Sequence, residues 1–111
     1  MLRLGPDQEA QADLLDEAGA FRATLGLWPI DGRPELAPFS REGKRRGQLW
    51  LGGSEQPELT LLDPQENPRA TLGLPPDGHP KLEMLDAAGN PRVKVNLQPD
   101  GSPELLLSGG D

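Results

Sequence analysis

The sequence predicts an all-β protein made of tandem β-hairpins, with about ten short strands in an elongated stack or meander. Three observations lead there. A turn-forming pattern recurs at nearly constant spacing. The stretches between turns alternate apolar and polar residues. Proline and glycine also interrupt the chain too often for helices of ordinary length.

The period is the strongest of the three. Asp16-x-x-Gly19-x-x-Arg22 aligns with Ser40-x-x-Gly43-x-x-Arg46, Asp63-x-x-Glu66-x-x-Arg69 and Asp86-x-x-Gly89-x-x-Arg92, in steps of 24, 23 and 23 residues. A second marker runs in phase: Asp31-Gly32-Arg33-Pro34, Ser54-Glu55-Gln56-Pro57, Asp77-Gly78-His79-Pro80 and Asp100-Gly101-Ser102-Pro103, with residues 7–10 as a worn copy. Two turns per period make each unit a hairpin. The chain then divides into a partial copy over residues 1–15 and full copies over 16–39, 40–62, 63–85 and 86–108, one repeat domain in all.

Taken in order, the first segment is the least regular. Residues 7–18, DQEAQADLLDEA, contain neither Gly nor Pro and could coil into a helix. They read instead as a degenerate strand, because Leu2, Leu4, Leu14, Leu15 and Asp16 keep register with later copies. The first strand of each full unit follows its arginine or, in the second copy, Arg46. Ala23, Leu25 and Leu27, then Gly47, Leu49 and Leu51, then Ala70, Leu72 and Leu74, then Val93, Val95 and Leu97 fall on one side. Thr24 and Gly26, Gln48 and Trp50, Thr71 and Gly73, Lys94 and Asn96 fall on the other. A period of two is a strand with one face toward a core. The second strand follows each Pro and carries Leu36, Leu59, Leu82 or Leu105, then Leu61, Met84 or Leu107, while Phe39, Leu62 and Leu85 close it against the turn. Leucine, present 20 times against three Val or Ile, argues for helix, but 13 Pro and 14 Gly spread along the chain overrule it.

The turns have their own chemistry. Glycine supplies the positive φ that other residues resist, and Asp accepts hydrogen bonds from its own downstream backbone. Asp77 and Asp86 are therefore expected to cap turns rather than bind a ligand. The second unit departs most, with Ser40 and Ser54-Glu55 where Asp and Asp-Gly stand elsewhere, and Glu66 with Pro64 suggests a different turn in the third.

The pattern Leu-x-Leu-x-x-Asp-Gly-x-Pro-x-Leu-x-x-Leu-Asp-x-x-Gly-x-x-Arg, clearest from Leu72 to Arg92, resembles the tandem β-hairpin repeats of many bacterial proteins. That resemblance covers nearly the whole chain and implies a stacked-hairpin or related β-repeat structure with no established catalytic role. Eight Arg against three Lys also hints at a GC-rich bacterial source.

Composition narrows function by exclusion. A net charge of -7 and a pI near 4.6 repel phosphate backbones, so nucleic acid is not an expected partner. With no cysteine there is neither a disulfide nor a thiolate metal site, and the compartment is left open. No run of 18 apolar residues is present, and the first residues lack a signal peptide's hydrophobic stretch, so no membrane span is expected. Each Asp-Gly turn offers one carboxylate where a calcium loop needs five or six oxygens, and His79 is the single histidine. Serine catalysis would need that histidine beside Ser40, Ser54, Ser102 or Ser108, all in turns or the tail, and no phosphate-binding glycine motif occurs. No enzyme activity, cofactor or metal is expected.

Two features remain. Arg22, Arg46, Arg69 and Arg92 each lie six residues after Asp16, Ser40, Asp63 and Asp86, so stacking would align them as ladders that fix register. Arg41, Lys44, Arg45 and Arg46, with Trp50 and Trp28 nearby, form a basic and aromatic cluster in an acidic chain, a candidate contact for an anionic ligand, a glycan or another protein. The leucine side must be covered by stacked hairpins, by closure into a barrel, by a trimeric β-prism or by another chain. The expected role is a non-enzymatic structural or protein-interaction module that self-associates as a homo-oligomer, with carbohydrate or anionic-ligand binding as the alternative.

Overall fold

The computed structural model describes residues 2–4, 10–27, 32–52 and 55–109, and every regular element among them is a strand. The strands are β1 (Leu2–Leu4), β2 (Ala10–Leu15), β3 (Phe21–Leu27), β4 (Pro34–Pro38), β5 (Gly47–Leu51), β6 (Pro57–Leu62), β7 (Pro68–Gly73), β8 (Lys81–Leu85), β9 (Pro91–Leu97) and β10 (Pro103–Leu107). They form one sheet in chain order, β1 to β10, each antiparallel to its neighbours. β1 and β10 are the two edges, so the sheet is an open meander and not a closed barrel. The degenerate-strand reading holds where it can be followed, since residues 10–15 form β2; residues 7–9 and the turn residue Asp31 lie outside the described residues.

The Asp-x-x-Gly turn is built by the aspartate at its first position. Asp86 Oδ1 accepts from the backbone N–H groups of Ala88 and Asn90, both at 3.0 Å. Asp63 does the same for Gln65 and Asn67, and Asp16 for Ala18 and Ala20. Inside the loop, Gly89 N donates to Asp86 O at 3.0 Å with φ of 88° at the glycine, the left-handed region where an L side chain is strained. Ser40 sustains the same backbone bonds, and its hydroxyl takes over part of the role by accepting from Lys44 N at 3.2 Å. The different turn expected at Pro64 does not occur. Asp63 N still donates to Asn67 O and Glu66 N to Asp63 O, with Glu66 itself held at φ 65°; Pro64 suits the second position of such a turn, where its fixed φ is the required one.

The Asp-Gly-x-Pro turns close the same way, Gln98 N donating to Ser102 O as Asp86 N does to Asn90 O, but here Asp-Gly are the last two of the four turn residues. Gly78 N donates to Pro75 O at 2.8 Å and Gly101 N to Gln98 O at 2.7 Å. Asp77 and Asp100 then accept from His79 N and Ser102 N. Gly32 has the same left-handed conformation, and Glu55 at φ 65° stands where the other copies have glycine.

Constant register carries the side-chain alternation across the sheet. Ala12, Leu25, Leu36, Leu49, Leu59, Leu72, Leu82, Val95 and Leu105 follow one another as cross-strand partners on one face. Flanking rows on that face pair Leu61 with Ala70, Met84 with Val93, Leu27 with Pro34 and Leu97 with Pro103. The other face carries Asp13, Thr24 and Ala37 in one row and Glu35, Trp50, Glu58, Gly73, Lys81, Asn96 and Glu104 in another.

The expectation that the leucine face is an internal core is not met within one chain. Leu25, Leu49 and Leu105 are 52%, 49% and 61% exposed, whereas among the described residues the buried side chains, those of Ala37, Asp13 and Thr60, sit on the polar face, and the leucine face buries only the side-chain-free Gly47. The reason is topological: a meander without a second layer has nothing to lay over either face, and only the polar side chains reach across strands to cover one another. The accessible surface is 7537 Å² for 12.0 kDa, against about 6,000 Å² for a compact monomer of that mass. The radius of gyration is 16.5 Å where about 13 Å suits a compact chain of this length.

Candidate interaction surface

Each arginine of the ladder occupies a β-bulge. Register slips between Leu14 and Leu15, Leu61 and Leu62, and Met84 and Leu85, so that Arg22, Arg69 and Arg92 lack a direct partner on the preceding strand. A bulge re-aims a side chain, and these arginines turn in two directions. Arg69 Nη1 lies 3.6 Å from Asp63 Oδ2 of its own turn, while its Nε donates to Leu85 O at 2.9 Å, the residue just before the next turn. Arg22 repeats this with Asp16 at 3.8 Å and Phe39 O at 3.2 Å, and Arg92 with Asp86 at 2.8 Å and Gly109 O. Arg46 makes the onward bond, to Leu62 O at 3.1 Å, and faces Ser40 in place of an aspartate. The ladder thus ties each turn to the next.

These contacts shift the aspartates. Asp86 is pulled down to about 2, mainly by the Asn90 N–H bond and then by Arg92. Asp63 is lowered mainly by the Asn67 N–H bond, and Asp100 by Ser102, whose hydroxyl and N–H both donate to it.

The basic cluster is split by the fold. Arg41 and Lys44 are exposed on the 40–44 turn, whereas Arg46 belongs to the ladder. Arg45 lies across Glu35, Nη2 to Oε1 3.5 Å, with its guanidinium 5.6 Å from the Phe39 ring centre, and its backbone N–H donates to Glu66. Gln48 Nε2 donates to the same Glu35. Trp50 stands on the polar face opposite Glu35 and Glu58, with Arg33 5.5 Å over its ring. The companion expected for it, Trp28, lies outside the described residues, as do Pro29 and Ile30.

Elsewhere the polar face neutralises itself. Glu83 lies between Lys81 at 3.6 Å and Lys94 at 3.9 Å, and Glu104 accepts from Asn96 and Gln98. Among the described residues no group of three or more His, Cys, Asp or Glu gathers as a metal site, and no helix is long and apolar enough to cross a membrane.

The leucine face differs in kind. Among the described residues its rows hold no charged residue, and shallow apolar grooves run along it between Leu25, Leu36, Leu49, Leu59 and Leu72. The period of the sequence marks these leucines as one apolar face, with stacked hairpins, a closed barrel, a prism or another chain as its expected covers. The chain matches no family model and none of the curated proteins compared with it.

Proposed function

We propose that the chain is a non-enzymatic structural and protein-interaction repeat module that associates with copies of itself. The observation behind this reading is the uncovered leucine face: an apolar surface this large on one side of an unclosed sheet marks an interaction site rather than a solvent boundary. The arginine ladder and turn aspartates supply rigidity, since their polar groups are engaged within the chain at each repeat. The test is the mass in solution, by sedimentation equilibrium or light scattering. More than one chain per particle supports self-association; a particle of 12.0 kDa at micromolar concentration overturns it.

A further inference from the structure

We infer that the occupant of the leucine face is the leucine face of a second copy, the two sheets packing as the layers of a sandwich related by a two-fold axis. This rests on the self-association reading and names the surface and the partner.

Area is the first argument. The chain exposes roughly 1,500 Å² beyond a compact monomer of its mass. Covering that much on each of two chains falls in the range of obligate dimers, which bury about 2,000–5,000 Å² in total.

Charge is the second. Each chain carries -7, yet the rows from Ala12 to Leu105 and from Leu61 to Met84 contain no ionisable side chain, so the faces meet without opposing like charges. The charges project from the turns and the opposite face, where they stay in water. A copy stacked leucine face on polar face would bury Glu83, Lys81 and Lys94 under leucines, and a stack of any length would still leave one apolar face open. Two-fold pairing covers both faces in a single step and closes.

Shape is the third. The sheet measures 44 × 29 × 20 Å, broad enough for one layer to lie over its whole partner at the ~10 Å spacing of packed sheets.

Neighbouring residues on β7 provide the test, because Leu72 and Thr71 point to opposite faces and the chain has no native cysteine. Leu72→Cys and Thr71→Cys are made singly in the full chain. Reaction with a thiol reagent is followed alongside particle mass and circular dichroism, and Val95→Cys with Lys94→Cys repeats the comparison on β9. Within one chain Leu72 is the more exposed of the pair. Face-to-face pairing reverses that order, with the cysteine at 72 reacting about tenfold slower than that at 71 in a two-chain particle. A two-chain particle in which the cysteine at 72 reacts as fast as that at 71 overturns the pairing and leaves self-association through the sheet edges. Protection in a three-chain particle overturns it in favour of a prism. A one-chain particle removes both this inference and the reading it rests on.

Discussion

Arg69 joins two successive turns, reaching back to Asp63 Oδ2 at 3.6 Å and forward to Leu85 O at 2.9 Å. It is able to do both because it is the extra residue of a bulge, opposed by neither Leu61 nor Leu62.

Replacing Arg69 with Ala removes an exposed ion pair and a charged donor to a carbonyl, and should cost about 1 kcal/mol in urea unfolding. Arg46→Ala should cost less, because Arg46 has the onward bond to Leu62 O but faces Ser40. Equal losses at both positions would remove the aspartate from the account.

Ser40→Asp should stabilise the protein. The carboxylate would accept two backbone N–H bonds where the hydroxyl accepts one from Lys44, and would pair with Arg46 as Asp63 does with Arg69. A rise of a few degrees in Tm is expected, in line with roughly 0.5–1 kcal/mol for an improved cap. A fall in Tm would show that Ser40 is held in a turn the aspartate cannot enter.

Acid should weaken the fold within a defined window. Asp86 titrates near 2 in the folded chain against 3.8 ordinarily, so the ionised form favours the folded state. Its contribution is complete above pH 3.8 and is lost as pH falls toward 2, with Asp63 and Asp100 acting in the same direction. Tm should therefore decline over that interval, and Asp86→Asn should flatten part of the decline. An unchanged slope in the variant would contradict the assignment.

Left-handed positions give a test with opposite signs. Gly89→Ala should destabilise by roughly 1–2 kcal/mol although no heavy atom lies within 4 Å of the added carbon, because φ is 88°. Glu55→Gly should stabilise by roughly 0.5–1 kcal/mol, since Glu55 sits at φ 65°. Glu66→Gly should gain less, because it also forfeits the bond from Arg45 N at 3.0 Å. Denaturant midpoints at matched m-values would decide all three.

How much could be read in advance divides along physical lines. The hairpin unit was legible because turn chemistry is local: Asp86 and Gly89 need only their own neighbours to form the loop. The bonds from Arg22, Arg46 and Arg69 to Phe39 O, Leu62 O and Leu85 O were not, because they depend on bulges that arise only once two strands pair. The loop at Pro64 was misread for a related reason. An unfavourable φ at Glu66 is tolerated when the flanking strands fix the ends of the turn. Alternation at Leu49 and Leu72 identified an apolar face correctly, yet a pattern of two records which side is apolar and not what lies over it. The basic cluster looked coherent along the chain, but pairing drew Arg45 to Glu35 and Arg46 to Leu62 O, leaving Arg41 and Lys44 on an exposed loop.

Each strand touches only its sequence neighbours, two for an inner strand and one for β1 or β10. Such a chain is a zipper more than a knot: disorder entering at β1 or β10 can travel inward one hairpin at a time, and the middle outlasts the ends. The same linearity makes length adjustable. Excising residues 63–85 would rejoin equivalent turns and shorten the sheet by two strand spacings, about 10 Å, with the surviving rows still aligned.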